Sequence, residues 1–199
     1  MWVVKLGGSL NDDALLPGWL ELLAALGGGR VTIVCGGGRF ADEVRRSQAH
    51  WRFDELDAHN MALLAMAQST YLAHGLNSKL RLASTLPEIR QVLHTGHTAL
   101  WLPISLLTDQ RGPDTSWDVS SDSIAVDLAH RLNAERLVVV KSCPIDSAAS
   151  LSELVAAGVL DARFNAFAER AAMPIDVVQS SELARMRSLL LGSAQLPLR

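Results

Sequence analysis

Two glycine-dense turns carry the residues of this 199-residue chain whose types and spacing suit chemistry. They are Lys5-Leu6-Gly7-Gly8-Ser9-Leu10 and Cys35-Gly36-Gly37-Gly38-Arg39-Phe40. Each follows a short apolar run and precedes a helical pattern. That is the placement a phosphate-handling loop needs: glycine lets backbone amides approach an anion with no Cβ in the way, and a following helix adds its N-terminal dipole. Lys5, two residues before the first glycine pair, adds a mobile positive charge. Neither turn is a Walker loop, because Gly-x-x-x-x-Gly-Lys-Ser/Thr occurs nowhere, and neither has the spaced glycines of a dinucleotide fingerprint.

A third polar cluster, Trp117-Asp118-Val119-Ser120-Ser121-Asp122-Ser123, opens a helical pattern that leads into an apolar strand and then Lys141-Ser142. A purely structural account exists: Ser120 or Ser121 caps the helix and Asp122 complements its dipole. The lysine usage points further. Only three lysines occur, Lys5, Lys79 and Lys141, against fifteen arginines, and two of the three stand at strand ends beside candidate loops. A solvated-surface role suits those two poorly.

The elements that position these residues follow from hydrophobic periodicity. Buried-strand runs are predicted at Trp2 to Leu6, Val31 to Cys35, Thr98 to Leu102, Leu137 to Val140 and Ile175 to Val178. Helical spacing is predicted at Leu15 to Leu26, Phe40 to Ser47, Asp57 to His74, Ser121 to Leu132, Leu151 to Ala157 and Glu182 to Leu190. Their alternation predicts an α/β sandwich around a mostly parallel sheet. Gly27-Gly28-Gly29 reads as a helix stop, and Asp109 to Asp114 is the most loop-like stretch.

Composition bounds the function class. The chain is 49% hydrophobic and 20% charged with a formal net charge of −3, the profile of one globular domain. That balance disfavours a nucleic-acid-coating role, no window has the length of a membrane span, and no leader pattern opens the chain. Cys35 and Cys143 sit in or beside apolar runs and read as small buried hydrophobes in a reduced, cytoplasmic setting.

Taken in order, Lys5-Leu6-Gly7-Gly8-Ser9, Gly36-Gly37-Gly38, and Ser121-Asp122-Ser123 with Lys141 downstream resemble the amino acid kinase superfamily, across nearly the whole chain. Within it, Gly-Gly-Gly-Arg-Phe-Ala-Asp at 36–42, the helix carrying His59 to Met66, and the 117–123 motif are most similar to the small kinases acting on an (aminomethyl)furan-methyl phosphate in methanofuran-type cofactor synthesis. The resemblance implies a three-layer α/β/α sandwich in a single domain over 1–199, with an acceptor lobe over about 1–110 and a nucleotide lobe over about 115–199. It implies that Lys5 contacts the transferring phosphoryl group and that Gly7, Gly8 and Ser9 support nucleotide phosphates. Asp122 would orient the active-site lysines, Ser120 and Ser121 would line the same turn, and Lys141 and Ser142 would begin the nucleotide segment. Gly36, Gly37, Gly38 and Asp118 would serve the acceptor.

Three departures from the family pattern stand out. The segment after Lys141 reads Ser142-Cys143-Pro144 where relatives carry an Asp-Gly turn, and no lysine follows position 141. The usual C-terminal Gly-Thr strand is also not evident in 192–199. Lys141 then takes the second-lysine role, or an arginine does, or the charge is absent.

The chemistry such residues suit is phosphoryl transfer, where fixed positive charge and positioning carry most of the catalysis. An anionic acceptor needs no proton removed, so no dedicated base is required. The expected partners are ATP, a small-molecule acceptor and Mg2+ held mainly on the phosphates, with no protein metal ligand named. Relatives commonly form homo-oligomers. For the acceptor wall, His59 is a ligand or a structural histidine, and Arg39 and Asp42 are either functional or an exposed first turn. Arg52, Asp54, Asn60, Met61, Met66 and Gln68 are further wall candidates, positions 61, 63, 64 and 66 read as core, and Trp51, Trp101 or Trp117 could stack on a ring. Two other readings remain: a carboxylate kinase making an acyl phosphate, and a nucleotide-binding module without turnover.

Overall fold

The computed structural model describes residues 1–192. Six strands form one sheet: β1 (Trp2–Leu6), β2 (Val31–Cys35), β3 (Arg81–Ala83), β4 (Ala99–Trp101), β5 (Arg136–Lys141) and β6 (Ile175–Gln179). Their order is β3-β4-β2-β1-β5-β6, and every neighbouring pair is parallel. Among the described residues eight α-helices pack around them: α1 (Leu16–Leu26), α2 (Gly38–Trp51), α3 (Glu55–Leu76), α4 (Leu86–His94), α5 (Ser121–Arg131), α6 (Leu151–Ala156), α7 (Phe164–Ala171) and α8 (Leu183–Leu190).

The central strands are mainly apolar because both faces are covered, as in a doubly wound parallel sheet. Alternation sorts the side chains into two layers. Val4, Leu6, Ile33, Val138 and Val140 pack with Trp19, Leu20 and Leu23 of α1 and Met186, Leu189 and Leu190 of α8. Val3, Val34, Leu137 and Val139 face Leu63 and Met66 of α3, Ala125 and Val126 of α5, and Phe164 and Phe167 of α7. The result is the expected three-layer α/β/α sandwich. Parity fixes the chemistry as well: Lys5 shares the face of Val3, and Lys141 shares that of Leu137 and Val139. Both lysines therefore point toward the α5 layer.

Strand order also creates a switch point. From β1 the chain turns to β2 on one side, whereas β5 sits on the other side and leads on to β6. Outside the carboxyl ends of β1 and β5 a crevice must open, the usual binding place in such sheets. Leu6 pairs in register with Val140, so Gly7 and Lys141 meet at that edge.

Several expectations need adjustment. β3, α4 and α7 were not predicted, and α2 runs to Trp51 rather than Ser47. Cys35 is buried, and burial pushes its thiol up to about 12, but Cys143 is exposed on the loop after β5, so only one cysteine is a buried hydrophobe. On α3, Leu63 and Met66 are core whereas Met61 and Leu64 lie on the outer face. Residues 193–199, most of the stretch read for a C-terminal Gly-Thr strand, lie outside the described residues.

Candidate phosphoryl-transfer site

Asp122 is the junction of the site. It sits in the first turn of α5, whose N-cap is Ser120: the Ser120 hydroxyl accepts from the Asp122 amide at 3.2 Å. From there the carboxylate reaches back across the sheet end. Lys5 Nζ donates to Oδ1 at 2.5 Å and Lys141 Nζ to Oδ2 at 2.6 Å. One carboxylate thus holds two ammoniums, each by a different oxygen.

Two of the three groups are desolvated, Lys5 being 2% and Asp122 3% exposed, while Lys141 keeps partial access to the crevice. Burial is the largest influence on the Asp122 carboxyl and pushes it up, but the two ammoniums outweigh it and hold the group below its ordinary range. For Lys5, burial dominates and, with Lys141 adding repulsion, draws the ammonium below the ordinary lysine value against the attraction of Asp122. Two cations on one anion leave a surplus positive charge facing the crevice.

The two glycine turns converge on this triad, and their glycines answer a packing demand. A Cβ on Gly8 would stand 2.3 Å from the Gly38 amide nitrogen, and one on Gly36 would stand 2.5 Å from the Gly8 nitrogen and 3.0 Å from Ser121 Oγ. The loops stack backbone on backbone. Gly38 also has φ +53°, a left-handed conformation that favours glycine. The amides of Gly7 and Gly36 donate to Val140 O and Leu6 O at 2.9 Å each, extending the sheet. Gly8 and Ser9 instead open a short 3-10 turn, Gly8–Asp12, and Gly38 and Arg39 open α2; first-turn amides of this kind lack intrahelical acceptors.

A cavity of about 460 Å³ lies over these elements. Of the residues singled out in the sequence, Lys5, Gly8, Ser9, Gly37, Gly38, Arg39, Asp42, His59, Ser120, Ser121, Asp122 and Lys141 line it. Gly7 and Gly36 lie behind the lining. Ser142 stands at the rim, its hydroxyl 2.6 Å from that of Ser9, tying the first glycine turn to the loop after β5. Asp118 is exposed and off the cavity; its carbonyl accepts from the Arg163 amide.

On the acceptor wall, Arg39 pairs with Asp12 at 2.9 Å and Asp42 with Arg45 at 3.2 Å, all four well exposed. For His59, half-burial outweighs the opposing pull of Asp114 and draws the ring below its ordinary value, favouring the neutral form. Trp117 is the ring that reaches the cavity: its indole N–H donates to Gln48 Oε1 at 2.6 Å and Arg45 stacks 4.2 Å from its centroid. Trp101 is core and Trp51 is 75% exposed. Asn60 instead fastens the 107–119 loop through Thr108, Asp54 caps α3 and pairs with Arg111, and Arg52 ends α2 in the left-handed region.

Four further residues belong to the site. Asp12, Arg45 and Glu55 line the cavity. Asp161, in the connection between α6 and α7, accepts from the amides of Ser120 and Ser123 at 3.0 Å each and from their hydroxyls at 2.8 and 2.5 Å. It locks the start of α5, and with it Asp122. Nothing near position 161 in the sequence signals this, because its partners lie about 40 residues upstream.

The donor set fits a nucleotide triphosphate: two ammoniums and helix-opening amides converge on one crevice. Among the described residues no group of three or more His, Cys, Asp or Glu is arranged to hold a metal ion.

Comparison with known proteins agrees with this geometry. The sequence profile described as "Amino acid kinase family" matches residues 1–144. A curated relative, the [5-(aminomethyl)furan-3-yl]methyl phosphate kinase of Methanocaldococcus jannaschii, is 27% identical over 143 residues, which cover 70% of this chain but only 64% of that protein. Among solved structures, uridylate kinase from Archaeoglobus fulgidus superposes with a TM-score of 0.72 at 16% identity, covering 97% of this chain and 96% of that one. UMP kinase from Bacillus anthracis gives 0.69 at 18% identity, covering 96% and 91%. The arrangement of strands, glycine turns and lysines, together with the profile match over most of its length, shows that this chain belongs to the amino acid kinase family.

Proposed function

We propose that this protein is an ATP-dependent kinase that transfers the γ-phosphoryl group to an anionic small molecule, with an (aminomethyl)furan-methyl phosphate as acceptor and a diphosphate as product. The observation that carries the reading is the single carboxylate of Asp122 holding Lys5 and Lys141 at the carboxyl ends of adjacent parallel strands. The choice of acceptor is supported by the activity of the Methanocaldococcus relative.

In the reaction an acceptor phosphate oxygen attacks the γ-phosphorus as the bond to the β,γ-bridging oxygen breaks, releasing ADP. The acceptor is already ionised, so no base is needed. The task is to hold two anions together and to stabilise the charge on the equatorial oxygens. Lys5 and Lys141 supply that charge, and Asp122 fixes where it sits. The amides of Gly8 and Ser9 would steady the nucleotide phosphates and those of Gly38 and Arg39 the acceptor. Magnesium, when bound, neutralises the phosphates and needs few protein ligands.

The nucleotide then occupies the half over about 115–199 and the acceptor the half over about 1–110. We expect a homo-oligomer, in keeping with the uncharged outer stripe Met61, Leu64, Gln68 and Tyr71 of α3, and a cytoplasmic setting suited to two free cysteines.

The test is ATP consumption with magnesium against the furan amine phosphate, isopentenyl phosphate, uridylate, glutamate, acetylglutamate and aspartate, with products identified by mass spectrometry. A furan diphosphate is expected. An acyl phosphate moves the protein to the carboxylate kinases, and silence with tight ATP binding defeats the kinase reading.

A further inference from the structure

Charge pairing across the cavity leaves two residues of opposite sign unmatched. Arg39 is taken by Asp12 and Arg45 by Asp42. Asp122 neutralises one of the two lysines, so one positive charge remains at the sheet end. At the other end stands Glu55, half-buried on the cavity wall with no lysine, arginine or histidine within salt-bridge distance among the described residues. The Gln48 side-chain amide donates to Glu55 Oε1 at 3.3 Å, and Gln48 also holds the Trp117 indole. Glutamine thus orients the carboxylate without cancelling its charge.

The helix spaces these features. Glu55, His59, Ala62 and Met66 recur on one face of α3 and all line the cavity. At 1.5 Å per residue that face is roughly 16 Å long from Glu55 to Met66. Between the poles the wall is mainly apolar, formed by Ala62, Leu63, Met66, Val119 and Ile124, with the rings of His59 and Trp117 beside them. The complementary ligand has an anion at one end, a flat or apolar middle and a cation at the other.

We propose that Glu55 is the specificity-determining residue that selects acceptors carrying a protonated amine, by accepting the ammonium hydrogen bonds at the end of the cavity away from Lys5 and Lys141. This rests on the kinase reading for its acceptor but makes a separate claim about one residue. A bland alternative exists, since Glu55 stands in the first turn of α3, where a carboxylate favours the helix dipole. That role would alter stability for every ligand alike and would not discriminate between them.

The experiment is calorimetric titration of the full chain, wild type and Glu55→Gln, with the furan amine phosphate and with the analogue bearing hydroxymethyl in place of aminomethyl, followed by kcat and KM for both. The wild type should prefer the amine by about 10- to 100-fold in Kd, the range of a charge-assisted hydrogen bond in a part-desolvated site. Glu55→Gln should collapse that ratio to near one by weakening the amine ligand alone, and Glu55→Asp should restore part of it. Circular dichroism of each variant guards against misfolding. An unchanged ratio in Glu55→Gln, equal weakening of both ligands, or a wild type that does not bind the amine overturns the inference. Amine-selective binding lost in Glu55→Gln without turnover in the wild type upholds Glu55 while defeating the kinase reading.

Discussion

The floor and the acceptor wall of the cavity solve the problem of holding charge in opposite ways. On the floor, Lys5 and Asp122 are buried and Lys141 is partly buried; the three are bonded at 2.5 and 2.6 Å and anchored on two strands and a capped helix. On the wall, Arg39–Asp12 and Asp42–Arg45 are open to solvent and carried by helix surfaces. Desolvated charges interact strongly and cannot be left unpaired, whereas exposed pairs are screened and each contributes little. The floor is therefore a fixed electrostatic template, and the wall is where the acceptor can be chosen at low cost to stability.

The largest effects should come from breaking the floor. Lys5→Ala removes transition-state charge while Asp122 keeps Lys141 as its partner, so turnover should fall by orders of magnitude with the circular dichroism spectrum unchanged. Asp122→Asn leaves two lysines facing each other without an anion. Its denaturant midpoint should drop by the equivalent of about 3–5 kcal/mol, the cost of removing one partner of a buried ion pair, and kcat should collapse with it. A midpoint within error of wild type would contradict the template account.

Next in size is the clamp behind the floor. Asp161→Asn weakens four hydrogen bonds at the start of α5, two of them from serine hydroxyls. Stability should fall by about 1–3 kcal/mol, and kcat should fall more than the acceptor KM rises, because Asp161 acts by positioning Asp122. Smallest is the wall: Asp12→Ala, with both partners more than half exposed, should change stability by no more than about 1 kcal/mol and vanish into noise at high salt.

Proton linkage separates floor from wall by pH. The folded Asp122 carboxyl lies below its ordinary value near 3.8, so its stabilisation is complete above that pH and is lost as acid titrates through the lower folded value. The folded Lys5 ammonium also lies below its ordinary 10.5. Between the lowered value and 10.5 the unfolded chain binds more protons, so this residue's contribution to stability rises with pH over that window. Activity should run the other way, because Lys5 loses the charge that catalysis uses. The alkaline limb of kcat/KM, which reports the free enzyme, should therefore fall below 10.5; a limb at or above that pH would remove Lys5 from the reaction.

What could be read from the sequence divides along the same line. β1, β2, β5 and β6 were visible as short runs dominated by apolar residues because both of their faces are covered. Lys5 and Lys141 stood out as polar interruptions at the ends of such runs in a chain with three lysines. β3, three residues opening on the exposed Arg81, carries no such signal. α4 did carry one, the Thr85–Glu88 capping box with Pro87 between, but its periodic stretch is only nine residues. α7 opens without a side-chain cap. Glu55 and Arg45 become site residues through the packing of α2 against α3, which no local pattern encodes, and Asp161 reaches its serines only through the fold.

The most direct test of the central claim is the single-turnover rate of γ-phosphoryl transfer to the furan amine phosphate in wild type and Lys5→Ala, with ATP affinity measured separately by calorimetry. The template account predicts a rate lowered by at least about a hundredfold, as for loss of one group that stabilises transition-state charge, with ATP binding weakened far less. Equal rates in the two proteins would contradict it.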